Sequence, residues 1–312
     1  MTNADQRRIS SRLGEPNLEK NEAPLANESI YSFYLALWMA AILMASGLFH
    51  LAKLGWDGAD WNGPLSLRKP GLFGVSGGLT VWSIAWLMTK LRPLRFDRVL
   101  ANLIAGSLVL EVGLITWQYW RGVPSHFNHS TLLDATIEAT MLVLILFVTA
   151  SIFYLTLRTF RLRPIKDSMA IAIRGGMWLL LLSCGLGILT SVLGEVNIAA
   201  GASYETWGKS GVLKFPHGVA LHAIQLFPML SWFSKQLQVP HPTRLMQSAL
   251  ASQVVFLIYA IRQTLTGRDR FDSDILGGLI LVVTCLLCIY PVFAIARAFT
   301  LRIWPQDKFK GD

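Results

Sequence analysis

The residues best equipped for chemistry in this 312-residue sequence are histidines and a few polar side chains set among apolar runs. WQYWRGVPSHFN at 117–128 carries Gln118, Arg121, Ser125, His126 and Asn128, with Glu111 upstream and Asp134 and Glu138 downstream. KFPHGVALHAIQ at 214–225 carries His217, His222 and Gln225. Imidazole is the commonest transition-metal ligand and an axial ligand of haem, so His126, His222 and His217 are candidate ligands for a metal such as zinc, or for haem. A carboxyl amid apolar residues is protonated, paired with a base such as Arg262 or His222, or turned to a wet cavity. Glu111 is therefore a candidate proton acceptor, with Asp134 as a second catalytic carboxyl. Gln118, Arg121, Ser125, Asn128 and Gln225 are candidate cofactor-binding residues around them. Glu111 and Gln118 share a helix face, as do Asp134 and Glu138. His217 and His222 are five residues apart, about 140° around a regular helix, so they converge only if Pro216 and Gly218 distort the first turn.

The elements that must hold these residues are set by composition. Hydrophobic residues make up 53% of the chain, charged residues 15%, and the mean hydropathy is +0.46. Soluble chains carry about 25% charged residues, so a soluble enzyme is excluded, as are a disordered chain, a disulfide scaffold and a collagen-like fibre. Apolar segments of spanning length run at about 31–54, 71–91, 97–119, 131–157, 168–193, 213–235, 245–265 and 275–298. None alternates polar and apolar as a membrane barrel strand does. The expected fold is all-α, a polytopic membrane protein with eight transmembrane helices. No apolar stretch precedes residue 30, so a cleaved signal peptide is not expected, and 1–30 reads as a cytoplasmic tail. The C-terminal tail is expected at 304–312.

A net charge of +9 does not point to nucleic acid here, because basic residues of a membrane protein collect in cytoplasmic loops. With eight spans, the side holding both termini receives 17 Lys and Arg, and the opposite side receives 9. That count places both termini in the cytoplasm and His50, His126, His129, His217 and His222 toward the exoplasmic side. The lipid bilayer is the expected partner. Cys184, Cys285 and Cys288 all lie in apolar runs and read as packing residues rather than a disulfide framework.

The halves of the chain, 31–163 and 164–303, read as a parallel four-helix repeat. Gln118 and Gly122 match Gln263 and Gly267, Phe127 matches Phe271, and RTFRLR at 158–163 matches RAFTLR at 297–302. Halves with four spans each insert in the same orientation, so an axis along the membrane normal should relate them, with any site near it.

Three functional classes fit these residues. Two four-span units with exoplasmic histidines are similar in architecture to haem A synthase, whose local motifs this sequence lacks; that likeness implies haem held by imidazoles. The Ser125, Asp134 and paired-histidine inventory is similar to that of the alkaline ceramidase and adiponectin-receptor group. It implies a zinc-bound water attacking a lipid amide or ester, although those proteins use HxxxH and this chain has HxxxxH. The third class is a transporter or partner-binding protein without catalysis. The sequence also resembles a family of uncharacterised bacterial multi-pass proteins with QxxRGxxSHFN-like and PHxxxLHxxQ-like motifs, here QYWRGVPSHFN at 118–128 and PHGVALHAIQ at 216–225. That resemblance covers about residues 30–300 and implies the bacterial inner membrane. Together these readings predict one exoplasmic-side pocket for a small or lipidic ligand, lined by Glu111, Gln118, His126, His222 and Gln225 and roofed by Trp56 and Trp61.

Overall fold

The computed structural model describes residues 29–63, 65–162 and 167–303. Of the expected tails, 1–30 and 304–312, residues 1–28 and 304–312 lie outside the described residues, as do residue 64 and the loop residues 163–166. Nine α-helices, two short 3-10 helices and one short hairpin are the regular elements of the described residues. The first four are α1 (Tyr34–Asp57), α2 (Arg68–Met88), α3 (Asp97–Trp120) and α4 (Leu132–Arg158). They are followed by α5 (Ser168–Ala199), the strands β1 (Thr206–Trp207) and β2 (Gly211–Val212), α6 (Lys214–Leu221), α7 (Ala223–Gln236), α8 (Pro242–Leu265) and α9 (Ile275–Ile303).

Seven helical stretches, those containing α1 to α5, α8 and α9, are long and apolar enough to cross a membrane. Their exposed large side chains, such as Trp38, Phe153, Trp178 and Phe293, are those of a surface that faces hydrocarbon. The sixth apolar run departs from the expected single helix: α6 has 8 residues and α7 has 14, separated at His222. The His222 carbonyl there accepts from both Gln225 N–H and Leu226 N–H. Pro228, inside α7, removes the next N–H that would bond one turn back toward the break.

Small residues let the helices approach closely. A Cβ on Gly74 of α2 would lie 2.8 Å from the Gly47 Cα of α1, and one on Gly78 would lie 2.6 Å from the Ala40 carbonyl oxygen. Gly176 of α5 does the same in the second half, where an added Cβ would stand 2.9 Å from the Ile224 Cα of α7. Within each half the first helix packs on the second and third, and the third packs on the second and fourth, with α6 and α7 together filling the second place. The halves meet through α4 against α5 and α2 against α7. One apolar core joins Phe33, Ile84, Met88, Ile104 and Leu155 to Met177 and Ile224; another centres on Phe227, Leu245, Met246 and Leu257.

Two helices end alike. α3 and α8 are each 24 residues long, with a glutamine two residues before the last. In α3 the Gln118 carbonyl accepts Val123 N–H and Gly122 stands at φ 73°; in α8 the Gln263 carbonyl accepts Arg268 N–H and Gly267 stands at φ 67°. This is the Schellman cap, and its left-handed position explains the shared glycine. Both glutamine side chains are fully buried, and each donates into the loop or helix that follows: Gln118 to Asp134, Gln263 to the carbonyls of Asp269 and Asp272.

Arg158 corrects the sequence reading. It falls just past the expected run 131–157, yet it is only 9% exposed and pairs with Asp97 at the start of α3, with its second guanidinium nitrogen 3.0 Å from Asp97 Oδ2 and 2.7 Å from the Arg92 carbonyl.

Candidate functional site

The polar residues of 118–138 build one end of the α3–α4 pair. Thr131 caps α4: its hydroxyl accepts Asp134 N–H at 3.1 Å and donates to Asp134 Oδ2 at 2.7 Å, a reciprocal arrangement like the capping box. Asp134 Oδ1 accepts from Gln118 Nε2 at 3.0 Å and from Arg121 Nη1 at 2.7 Å. The guanidinium of Arg121 also donates to Gln118 Oε1 and lies over the Trp117 ring. Gln118, Arg121 and Asp134 are thus brought together, with both oxygens of the carboxylate engaged. Their arrangement latches α3 to α4. Arg262 takes Asp274 in the same manner, with contacts of 2.9 and 2.7 Å, so it is not the partner of Glu111.

The loop between the two helices is pinned to the second half of the molecule. Phe127 adopts φ 58°, and its ring stacks 4.9 Å from that of Tyr204. Gly194 makes room for it, since a Cβ there would fall 2.5 Å from the ring. Glu138 of α4 accepts the backbone N–H of Phe127 at 2.7 Å and of Asn128 at 3.0 Å. Asn128 is buried, with its amide on the Pro124 carbonyl and its oxygen accepting Ser130 N–H.

These bonds carry His129 to the junction of the halves. Its Nδ1 is 3.7 Å from Glu138 Oε2, and its Nε2 is 3.2 Å from Glu195 Oε1. α5 reaches this point because it has 32 residues, about 48 Å of helix at 1.5 Å per residue, well beyond a hydrocarbon core of about 30 Å. One ligand atom from each of His129, Glu138 and Glu195 lies within 4.8 Å of the others, close enough for the three to hold a metal ion. The hydrogen bond to Glu195, then the Glu138 charge, hold the imidazole above its ordinary value. Sequence reasoning grouped Glu138 with its neighbours but did not join it to His129 and Glu195. The only sequence signal was that these residues all fall at the same ends of their apolar runs.

The remaining expected site residues make separate contacts. Ser125 Oγ lies 3.0 Å from His126 Nδ1, and the His126 ring packs against Phe73. Burial, then the charges of Lys69 and Lys214, push His126 down to about 4, so it is neutral at pH 7. His217 is held on α5: its Nδ1 is 3.0 Å from Ser183 Oγ and 2.8 Å from the Ser183 carbonyl oxygen. Gly187 leaves that ring space, because a Cβ would stand 3.1 Å from Nδ1. His222, at the break between α6 and α7, is exposed. Glu111 is buried with Oε2 unpartnered, and neither amide atom of Gln225 has a partner. Leu108 and Val112, beside Glu111, belong to the same apolar core as Ile224, beside Gln225. Among the described residues no hydrogen bond joins His126, His222, Glu111 and Gln225 to one another. Trp56 of the expected roof is 91% exposed, whereas Trp61 lies under the Arg68 guanidinium.

Lys214, at the start of α6, pairs with Glu205 at 2.9 Å beside the hairpin. Asn197 fastens that hairpin to α5 by donating to the carbonyls of Ser203 and Thr206. The chain matches no protein-family model, no curated protein and no solved structure.

Proposed function

We propose that this membrane protein binds a divalent metal ion on its exoplasmic face through His129, Glu138 and Glu195, and that the ion serves a reaction on a small or lipidic substrate. The convergence of three ligand residues, one imidazole and two carboxylates, from three separate segments carries the reading. One imidazole and two carboxylates suit zinc or manganese better than haem. Three protein ligands and an exposed side leave positions for water or substrate, as in catalytic rather than structural zinc sites. A metal at that place lowers the pKa of bound water and polarises a substrate oxygen. Glu138 is oriented by its two backbone N–H donors, which is how supporting bonds fix a ligand.

The wider architecture belongs to the same proposal. The chain crosses a bacterial inner membrane eight times, α6 and α7 together forming the broken sixth span, with both termini cytoplasmic. Its halves descend from one four-helix unit, a reading supported by the matching caps of α3 and α8 and the like order of packing in each half. In a cysteine-free background, His126→Cys should be labelled by an impermeant maleimide from outside the cell and Arg163→Cys should not; the reverse overturns the orientation. Metal content of the purified protein tests the site itself. Wild type loaded with zinc should retain the ion stoichiometrically, His129→Ala and Glu195→Gln should bind it at least tenfold more weakly, and His222→Ala should match wild type. Equal retention by all four proteins, or none by any, rejects the site.

A further inference from the structure

At the far end of the molecule from the His129 site, the end of α7, the turn 237–241 and the last turns of α9 enclose a groove of about 630 Å³. Arg297, Arg302 and His241 line it with Gln238 and Tyr290, and among the described residues no acidic one does. Its remaining wall is apolar, with Phe293, Ala298 and Leu301 among the lining side chains. Arg302 is engaged, donating to the Gln236 carbonyl at 2.7 Å. Arg297 is exposed and has no hydrogen-bond or ion-pair partner among the described residues.

The two halves explain why that arginine has no partner among the described residues. Arg158 and Arg297 open the matching RxFxLR stretches, and α3 and α8 match in length and cap. In the first half the arginine is neutralised by Asp97, the first residue of α3. The first residue of α8 is Pro242, which offers no carboxylate. The turn before it is also unusual. Gln238 and His241 stand at φ 54° and 55°, and Gln238 occupies the cap position that is glycine in both α3 and α8. A side chain in that region costs about 1 kcal/mol or more, and both of these residues line the groove. Strained non-glycine residues of this kind mark binding sites.

We propose that the groove binds the headgroup of an anionic phospholipid, whose phosphate takes at Arg297 the place that Asp97 holds at Arg158, while the acyl chains leave along the apolar wall. The size is within the range of ligand pockets, and basic pockets between helices at the membrane surface recognise such headgroups. The site is independent of the metal proposal, because it shares no residue with it.

Native mass spectrometry of the protein released from phosphatidylglycerol or phosphatidylcholine nanodiscs tests this. Wild type should retain phosphatidylglycerol and shed phosphatidylcholine. Arg297→Gln should lower retention about fivefold, the equivalent of one interfacial arginine. Pro242→Asp, which supplies an internal carboxylate at a helix start where aspartate is favourable, should lower it similarly without lowering the thermal midpoint. Unchanged retention in both variants, equal retention of the two lipids, or displacement of lipid by millimolar inorganic phosphate each overturns the proposal.

Discussion

Asp97→Ala removes the carboxylate that neutralises Arg158, and the structure sets the size of the effect. Both side chains are buried, 2% and 9% exposed, so neither charge is relieved by solvent. Removing one member of such a pair costs about 3–5 kcal/mol. The Arg92 carbonyl still accepts from the guanidinium at 2.7 Å, which favours the lower end of that range. Against this, Asp97 also accepts Leu94 N–H at 2.9 Å, and orphaning that donor adds about 1 kcal/mol. The expected loss is about 4 kcal/mol, or roughly 8 °C in the thermal midpoint of the detergent-solubilised protein at about 2 °C per kcal/mol for a long chain. Arg158→Met in the same background removes the stranded charge, so the double variant should regain about 3 kcal/mol of that loss. A single-variant shift below about 2 °C, or strict additivity of the two substitutions, refutes the reasoning that the pair is a buried, mutually dependent tie between α3 and α4.

Three further outcomes follow from the geometry. Because His126 is pushed down to about 4 from 6.5, its contribution is intact above pH 6.5 and is lost as pH falls toward about 4, by up to about 3 kcal/mol; the midpoint of His126→Phe should be flatter than wild type across that window, and parallel curves would contradict the burial. Gly74→Val places atoms where α1 already stands 2.8 Å away, and should cost about 1–3 kcal/mol in detergent unfolding, whereas Gly106→Val, with open space around its Cβ position, should cost less than about 1 kcal/mol. Gly267→Ala should destabilise by more than Gly122→Ala, because its added Cβ also meets Lys209 N at 3.1 Å while that of Gly122 meets nothing; each loses about 1 kcal/mol to its left-handed φ, and equal midpoints would count against the hairpin's seat on α8.

How far the sequence discloses this molecule differs from element to element. The run expected at 97–119 is the helix Asp97–Trp120, and the one at 275–298 is Ile275–Ile303. In lipid, run length and helicity are set by the same requirement, that every backbone group bond within its own segment. The Q-x3-G spacing was visible as a repeat; its cause, a cap with glutamine at one position and left-handed glycine at another, is visible only in three dimensions. The break at His222 escaped because the suspected Pro216 and Gly218 lie within α6, short of the break. Arg158 reads as a loop cation because its partner Asp97 lies 61 residues away. The His129 cluster was hidden for the same reason: Glu195 is 66 residues on, and the two meet only because α5 overreaches the bilayer and Phe127 docks against Gly194.

X-ray absorption at the zinc edge of the zinc-loaded protein tests the metal reading most directly. The zinc should be surrounded by one imidazole nitrogen and by oxygen neighbours at about 2.0–2.2 Å, and the imidazole signature should be lost in His129→Ala. Two or more imidazoles, a sulfur neighbour at about 2.3 Å, or a spectrum unchanged in His129→Ala would contradict it.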